Sequence, residues 1–342
     1  MINQLTFTRF IAAILIVILH FGGIFKGKIS FIDDIWEHFN LGVSYFYVLS
    51  GFVMIVAYKN LEKINSKKYY INRLARIYPL HILSMLLVIF FILLEIINNN
   101  IPKLAVLNHI LLIQAWIPRT ALTLNAPAWS ISVETFFYLL FPFIFSYFKR
   151  ISLIKTIIIS IGFCLISQII YNYYYFNIYE GFRKDGYFLF YNPLLHLNSF
   201  IIGIATGFLF IKNSSQKKYD LLIILLTCLL ITVVYLSRNL FIHNGFFAPL
   251  FALLIYFISK NNGWITKLFT NKKLIYLGEI SFAIYLLQFP VFYFSKYSLK
   301  LLTIENELTL FLISLITLIL VSHLTYKHFE IPVRDYLKRK IK

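Results

Sequence analysis

The sequence predicts an all-α fold, a polytopic membrane helical bundle of about ten transmembrane helices plus one short re-entrant or interfacial segment. Three observations lead there. Of the 342 residues 60% are hydrophobic and the mean hydropathy is +0.77, too apolar for a soluble globular chain. Apolar runs of roughly the length a helix needs to cross hydrocarbon recur along the whole sequence. Lys and Arg gather in the short loops between those runs, mostly on one side.

The runs are 5–25, 39–58, 79–97, 129–148, 153–174, 193–211, 220–236, 246–259, 274–295 and 308–328. The first has no basic n-region and no small-residue cleavage site, so it reads as a retained helix rather than a signal peptide. Segment 104–118 is too short to cross, and counting it as a crossing would carry the Lys149–Lys155 cluster to the outer side. With the N-terminus inside, 22 Lys and Arg fall on the inner side. They include Lys59, Lys63, Lys67, Lys68, Arg73 and Arg76, then Lys149, Arg150 and Lys155, then Lys212, Lys217 and Lys218, with four at 260–273 and six at 327–342. Nine fall outside (Lys26, Lys28, Lys103, Arg119, Arg183, Lys184, Arg238, Lys296 and Lys300), and Arg9 sits within the first run. Both termini are therefore expected in the cytoplasm.

The same loops account for the net charge of +18, so nucleic acid is not an expected partner. No outer loop is long enough to fold by itself, and the sequence has no internal repeat, low-complexity tract or Gly/Ser linker. Residues 1–342 thus read as a single integral-membrane domain whose chemistry lies within the bundle. Cys164 and Cys228 lie in apolar segments with no partner spacing, which supports neither a disulfide nor a thiolate metal site.

Polar groups at membrane depth are costly, and they mark pathways or reaction sites. Arg9 and His20 are eleven residues apart in the first run; at about 100° per residue they return to within about 20° of one face, about 16 Å apart along the axis. On the rise of about 1.5 Å per residue, Arg9 is expected about 6 Å inside the inner boundary and His20 roughly 7 Å below the outer one. Pro127 suits the start of the fourth helix, which puts Glu134 about 9 Å below the outer boundary, with Ser130 and Tyr138 one turn away on either side. His20 and Glu134 are then expected at matching depth, as a base and the carboxylate that orients it. The bland alternatives are a snorkelling Arg9, a hydrogen-bonded His20 and a buried Glu–His or Glu–Arg pair that only knits helices. Arg73 and Arg76, one turn apart at the inner mouth of the third run, offer paired guanidinium forks to phosphate, while Tyr69, Tyr70 and Tyr78 beside them fit an interfacial belt.

The order of these motifs resembles membrane acyltransferase family 3. The resemblance is carried by Arg9 with His20, Ser50-Gly51-Phe52, Arg73-Leu74-Ala75-Arg76-Ile77-Tyr78-Pro79, and Trp129-Ser130-Ile131-Ser132-Val133-Glu134-Thr135-Phe136-Phe137-Tyr138 with Pro142. Leu277-Gly278-Glu279-Ile280-Ser281-Phe282-Ala283-Ile284-Tyr285-Leu286 and Glu330-Ile331-Pro332-Val333-Arg334 look like its closing motifs. The resemblance implies a bacterial inner-membrane enzyme that moves an acyl group, usually acetyl, from a cytoplasmic donor to cell-surface sugars. Acetyl-CoA or another acyl-CoA would be a co-substrate, with no bound cofactor and no metal, and the acceptor would be a surface or lipid-linked saccharide. It implies catalytic roles for His20, Glu134 and Arg9, donor binding by Arg73 and Arg76, and a site lined by Ser50, Trp129, Ser130, Tyr138, Tyr285 and Gln288. One position departs from the pattern. Where the family commonly has a His shortly before a Pro, this chain has Gln288 before Pro290, and an amide cannot act as a base near neutral pH. Some members carry an appended extracytoplasmic hydrolase-like domain, and the sequence reaches Lys342 without one.

An intramembrane Arg, His and Glu would also suit a transporter or flippase of a lipid-linked glycan, though no inverted repeat is evident. A polysaccharide polymerase would be expected to show a large outer loop. His38, His81, His109, His196, His243, His323 and His328 have no ligand spacing with one another, and His38, in the first outer loop, is the one placed to touch acceptor.

Overall fold

Every one of the ten apolar runs forms helix, as it must where a bilayer offers the backbone no hydrogen-bond partner. The computed structural model describes residues 2–97, 101–181, 186–213, 215–240 and 242–339. Arg183, Lys184, Lys340 and Lys342, counted above in the loop charges, lie outside the described residues. In chain order the helices are α1 (Gln4–Phe21), α2 (Ser30–Ile35), α3 (Leu41–Tyr58), α4 (Ser66–Leu93), α5 (Lys103–Ile110), α6 (Trp129–Arg150), α7 (Leu153–Asn177) and α8 (Tyr187–Tyr191). There follow α9 (Pro193–Lys212), α10 (Asp220–Leu236), α11 (Ala248–Lys260), α12 (Trp264–Phe269), α13 (Lys272–Glu279), α14 (Ser281–Leu301), α15 (Glu307–Thr325) and α16 (Ile331–Arg339).

Among the described residues seven helices are long and apolar enough to cross a membrane, and an eighth is added if α13 and α14, bent by 54° across Ile280, count as one span. The helix α10, of 17 residues, and the apolar stretch Gly245–Lys260 are shorter. The expected ten spans are therefore seven or eight full-length helices and two short ones. Segment 104–118 forms the eight-residue α5 and a run of turns, too short to cross.

Helices α3 and α9 form the centre. They approach closely because Gly51 and Gly203 face each other's backbones, and a Cβ on either would strike the carbonyl of Phe200 or Val48. Gly278 lets α13 press onto α1 in the same way, against the Thr6 carbonyl. Two apolar cores flank α3. One, with Phe137, Phe141, Phe200 and Phe292, lies among α1, α4, α6, α9 and α14. The other, with Val48, Phe52, Phe251 and Ile255, lies among α3, α9, α10 and α11.

Prolines inside helices leave carbonyls without a donor, and neighbouring elements supply one. Pro142 deprives the Tyr138 carbonyl of its partner, and the Tyr69 hydroxyl of α4 donates to it at 3.1 Å. Pro290 frees the Leu286 carbonyl, which accepts from Asn125 at 2.9 Å. Tyr70 adds a bond to the Leu139 carbonyl at 3.1 Å, and Tyr78 donates to Ile110 at 3.2 Å. The three tyrosines therefore clamp α4 to α6 and to the end of α5, which a belt reading of the sequence misses.

Asn125 belongs to a buried stretch between α5 and α6. The side chains of Asn108, His109, Gln114 and Asn125 are almost fully enclosed, and Gln114 donates to the Ala128 carbonyl at 2.8 Å while Ser132 donates to Leu112 at 2.7 Å. This stretch seats the start of α6 inside the protein.

Candidate active site

A cavity of about 390 Å³ opens among α1, α3, α4, α6 and α14. Its polar lining is Thr6 and Arg9 from α1, Tyr47 and Ser50 from α3, Arg73 and Arg76 from α4, Ser130, Glu134 and Tyr138 from α6, and Tyr285 from α14. Arg9 and Tyr285, 276 positions apart, thus meet at one site, and Glu134 is the one carboxylate among the lining residues.

The register of α4 on α6 explains the meeting. Tyr69 reaches the Tyr138 carbonyl, so Glu134, one turn back along α6, stands level with Arg73, one turn on along α4. Glu134 accepts from the Ser50 hydroxyl at 3.3 Å and from the Tyr138 hydroxyl. Arg73 is held by aromatic faces: its guanidinium lies 5.9 Å from the Tyr58 ring, 5.8 Å from Tyr69 and 5.6 Å from Tyr138, and it donates to the Tyr58 hydroxyl at 3.5 Å. Its Nε is buried without a partner. Arg76 is exposed to the cavity, and Arg9 is half-buried beside it.

Among the described residues no salt bridge joins any of these three arginines to Glu134. Glu330, just before α16, lies within electrostatic reach of Arg9, Arg76 and Arg334, and its Oε1 is buried without a hydrogen bond. Three guanidiniums facing one cavity with so little local compensation make a ready site for a polyanion, and their forks match phosphate oxygens.

Tyr285 of α14 also lines the cavity. Its hydroxyl donates to the Pro127 carbonyl at 3.0 Å and pairs with the Ser130 hydroxyl at 2.9 Å, while Phe46 leans on its ring at 6.1 Å. One turn further along α14 is Gln288, whose Oε1 meets His20 Nδ1 at 2.8 Å. His20 is exposed, with Phe289 set edge-on against it at 5.1 Å, and it does not line the cavity.

The expected His20–Glu134 pair is therefore not formed. The start of the fourth helix near Pro127 was expected at the outer boundary, but the buried stretch before it starts α6 deep in the fold, which lowers Glu134 to the level of Arg73. Trp129 stands outside the cavity, edge-on to Tyr191 at 5.0 Å and tilted on His196 at 5.2 Å. Sequence reading also missed Tyr47, Tyr58 and Tyr69, which are indistinguishable by residue type from lipid-facing aromatics, and Glu330, whose only signal was its place in the closing motif. Among the described residues no three of His, Cys, Asp or Glu converge as metal ligands do.

The cationic cavity thus lies within a bundle of apolar helices, with the Ser130–Tyr285 hydroxyl pair in its lining and His20 outside it. The family model described as "Acyltransferase domain" matches residues 2–327. The chain belongs to this acyltransferase family. It is similar to "Acyltransferase MdmB" of Streptomyces mycarofaciens, 35% identical over 120 residues that cover 33% of this chain and 30% of that protein. It is similar also to "O-acetyltransferase OatA" of Staphylococcus aureus, 23% identical over 334 residues that cover 86% of this chain and 52% of that protein. The chain spans about half the length of such full-span relatives. No solved structure matches it.

Proposed function

We propose that this protein is an O-acetyltransferase of the inner membrane, with both termini cytoplasmic, that carries acetyl from acetyl-CoA to a sugar hydroxyl of a surface or exported polysaccharide. The observation that carries this reading is the cavity itself: Arg9, Arg73 and Arg76 face it, none is bridged to Glu134, and Tyr285 in its lining is one helical turn from the Gln288–His20 pair. In this reading the donor's phosphates sit at Arg76 and Arg73, with Arg9 beyond them, and the pantetheine arm runs along the apolar walls toward Tyr285. Glu134 offsets part of the arginine charge and keeps Ser50 and Tyr138 in place, so its work is to space the cations rather than to orient the base.

Acyl transfer needs an activated hydroxyl and a polarised carbonyl. His20 removes the proton of the acceptor hydroxyl as that oxygen attacks the thioester carbon. In this reading a hydroxyl of the Tyr285–Ser130 pair polarises the thioester carbonyl by turning away from the Pro127 carbonyl, to which both donate at rest. The new O–C bond forms, the C–S bond breaks, and the departing sulfur takes the proton back from His20. The acceptor comes from the side of His20 and the donor from the arginines, and the membrane domain 1–342 handles the acceptor alone or with a separate partner.

The test is turnover. Purified protein given acetyl-CoA together with a polysaccharide-rich envelope extract should release free CoA thiol and label the extract from radioactive acetyl-CoA. Binding of glycan with no CoA release under any acyl donor would favour a glycan transporter and end the proposal.

A further inference from the structure

The contact between His20 and Gln288 carries more than proximity, because the second end of Gln288 is also engaged. Gln288 Nε2 donates to the Tyr285 carbonyl at 2.7 Å, and Gln288 Oε1 lies 2.8 Å from His20 Nδ1. A primary amide has one end that only accepts and one that only donates. Turning it over would set its oxygen against the Tyr285 carbonyl oxygen at the same short distance, with no proton between them. The orientation is therefore decided by the backbone of α14, and Gln288 is fully buried.

With an acceptor fixed at Nδ1, the imidazole must donate from Nδ1. A neutral imidazole has one N–H, so its lone pair is on Nε2. No hydrogen bond reaches Nε2 among the described residues, and His20 is an exposed residue. We propose that Gln288 is the positioning residue for His20: it fixes the Nδ1–H tautomer and presents the Nε2 lone pair to the acceptor hydroxyl. The inference rests on the reading of His20 as the proton acceptor.

The arrangement also serves the charged half of the cycle. When Nε2 takes the acceptor's proton, Nδ1–H still donates to Oε1, so nothing at Gln288 has to move before the proton is passed to the departing sulfur. A carboxylate in this place would add its own charge, whereas the amide steers the ring without one. The stack beneath holds the support rigid: Tyr285 is tied by its hydroxyl to Pro127 and Ser130, on the far side of the same helical turn.

The tautomer is observable without turnover. Nitrogen-15 spectra of protein labelled at its eight histidines, with His20 assigned by the signal lost in His20→Ala, separate protonated from bare ring nitrogens. The wild-type protein should show Nδ1 protonated and Nε2 bare. Gln288→Met, close in volume but without an acceptor, should release the bias so that the Nε2–H form appears, with kcat down about tenfold to a hundredfold and the KM for acetyl-CoA unchanged. A wild-type spectrum with Nε2 protonated overturns the inference, and so does a Gln288→Met protein that keeps both tautomer and kcat. If Gln288→Met does not fold, the wild-type spectrum still decides. Full activity in His20→Ala would instead remove the reading beneath it while leaving the tautomer as measured.

Discussion

Arg76→Ala should weaken the hold on acyl-CoA without slowing the chemistry. Arg76 faces the cavity, is exposed to it, and has no ion pair among the described residues. Its loss therefore removes little of the fold. On the proposed donor site it removes a charge-assisted hydrogen bond to phosphate, about 1.5–3 kcal/mol, or about tenfold to a hundredfold in KM. Because the phosphates are far from the reacting carbon, the contact is equal in ground and transition states, and kcat should stay within about threefold. Lysine at this position should restore part of the loss, as a point charge without the fork. Arg73→Ala should differ in kind: three tyrosine rings and the Tyr58 hydroxyl hold that guanidinium, so its removal should lower thermal stability as well as raise KM. The assay is CoA thiol release against acetyl-CoA concentration, for folded protein in nanodiscs. An unchanged KM in Arg76→Ala would refute the argument and leave both arginines as topology signals.

Three further outcomes follow from the same geometry. His20→Ala should cut acyl transfer by about 10²–10⁴-fold while the protein still inserts and folds, with Tm lowered by the loss of the partner of the buried Gln288 Oε1; near-native turnover would exclude it as the base. Tyr69→Phe should cost about 1–3 kcal/mol by stranding the Tyr138 carbonyl, and Pro142→Ala in the same chain should recover part of that by restoring a backbone N–H; equal losses with and without Pro142 would refute the proline account. Burial, with the charge of His81 adding to it, pulls the His109 imidazole from 6.5 down to about 3, so the unfolded chain takes up a proton that folded His109 refuses. Stability should then fall as pH drops from about 6.5 toward 3, and Tm measured between pH 7 and pH 5 should fall less in His109→Gln; the same slope in both proteins would show that His109 is not responsible.

Much of the fold was legible because the bilayer permits so few solutions: each long apolar run had to be helix. Of the residues singled out by sequence, Arg9, Ser50, Arg73, Arg76, Ser130, Glu134, Tyr138 and Tyr285 line one cavity, since intramembrane polar groups have nowhere else to go. Depth was not legible. Counting residues from the start of a run gives depth only when that start lies at a boundary, and α6 begins on a buried support of Gln114 and Asn125 whose polar composition reads as a loop. The tyrosines of α4 were equally opaque, because a clamp onto a proline-freed carbonyl and an interfacial belt use the same residue. His20 and Gln288 are 268 positions apart, and nothing local to either announces the other.

The central claim is that the arginine-lined cavity holds the acyl donor with its thioester toward Tyr285 and His20. A cryo-EM map of the full chain with coenzyme A present tests it most directly. The account predicts density for the molecule in this cavity, phosphates beside Arg76 and Arg73 and the thiol end at Tyr285. Density for coenzyme A elsewhere on the protein, with this cavity filled by lipid or empty, would contradict it.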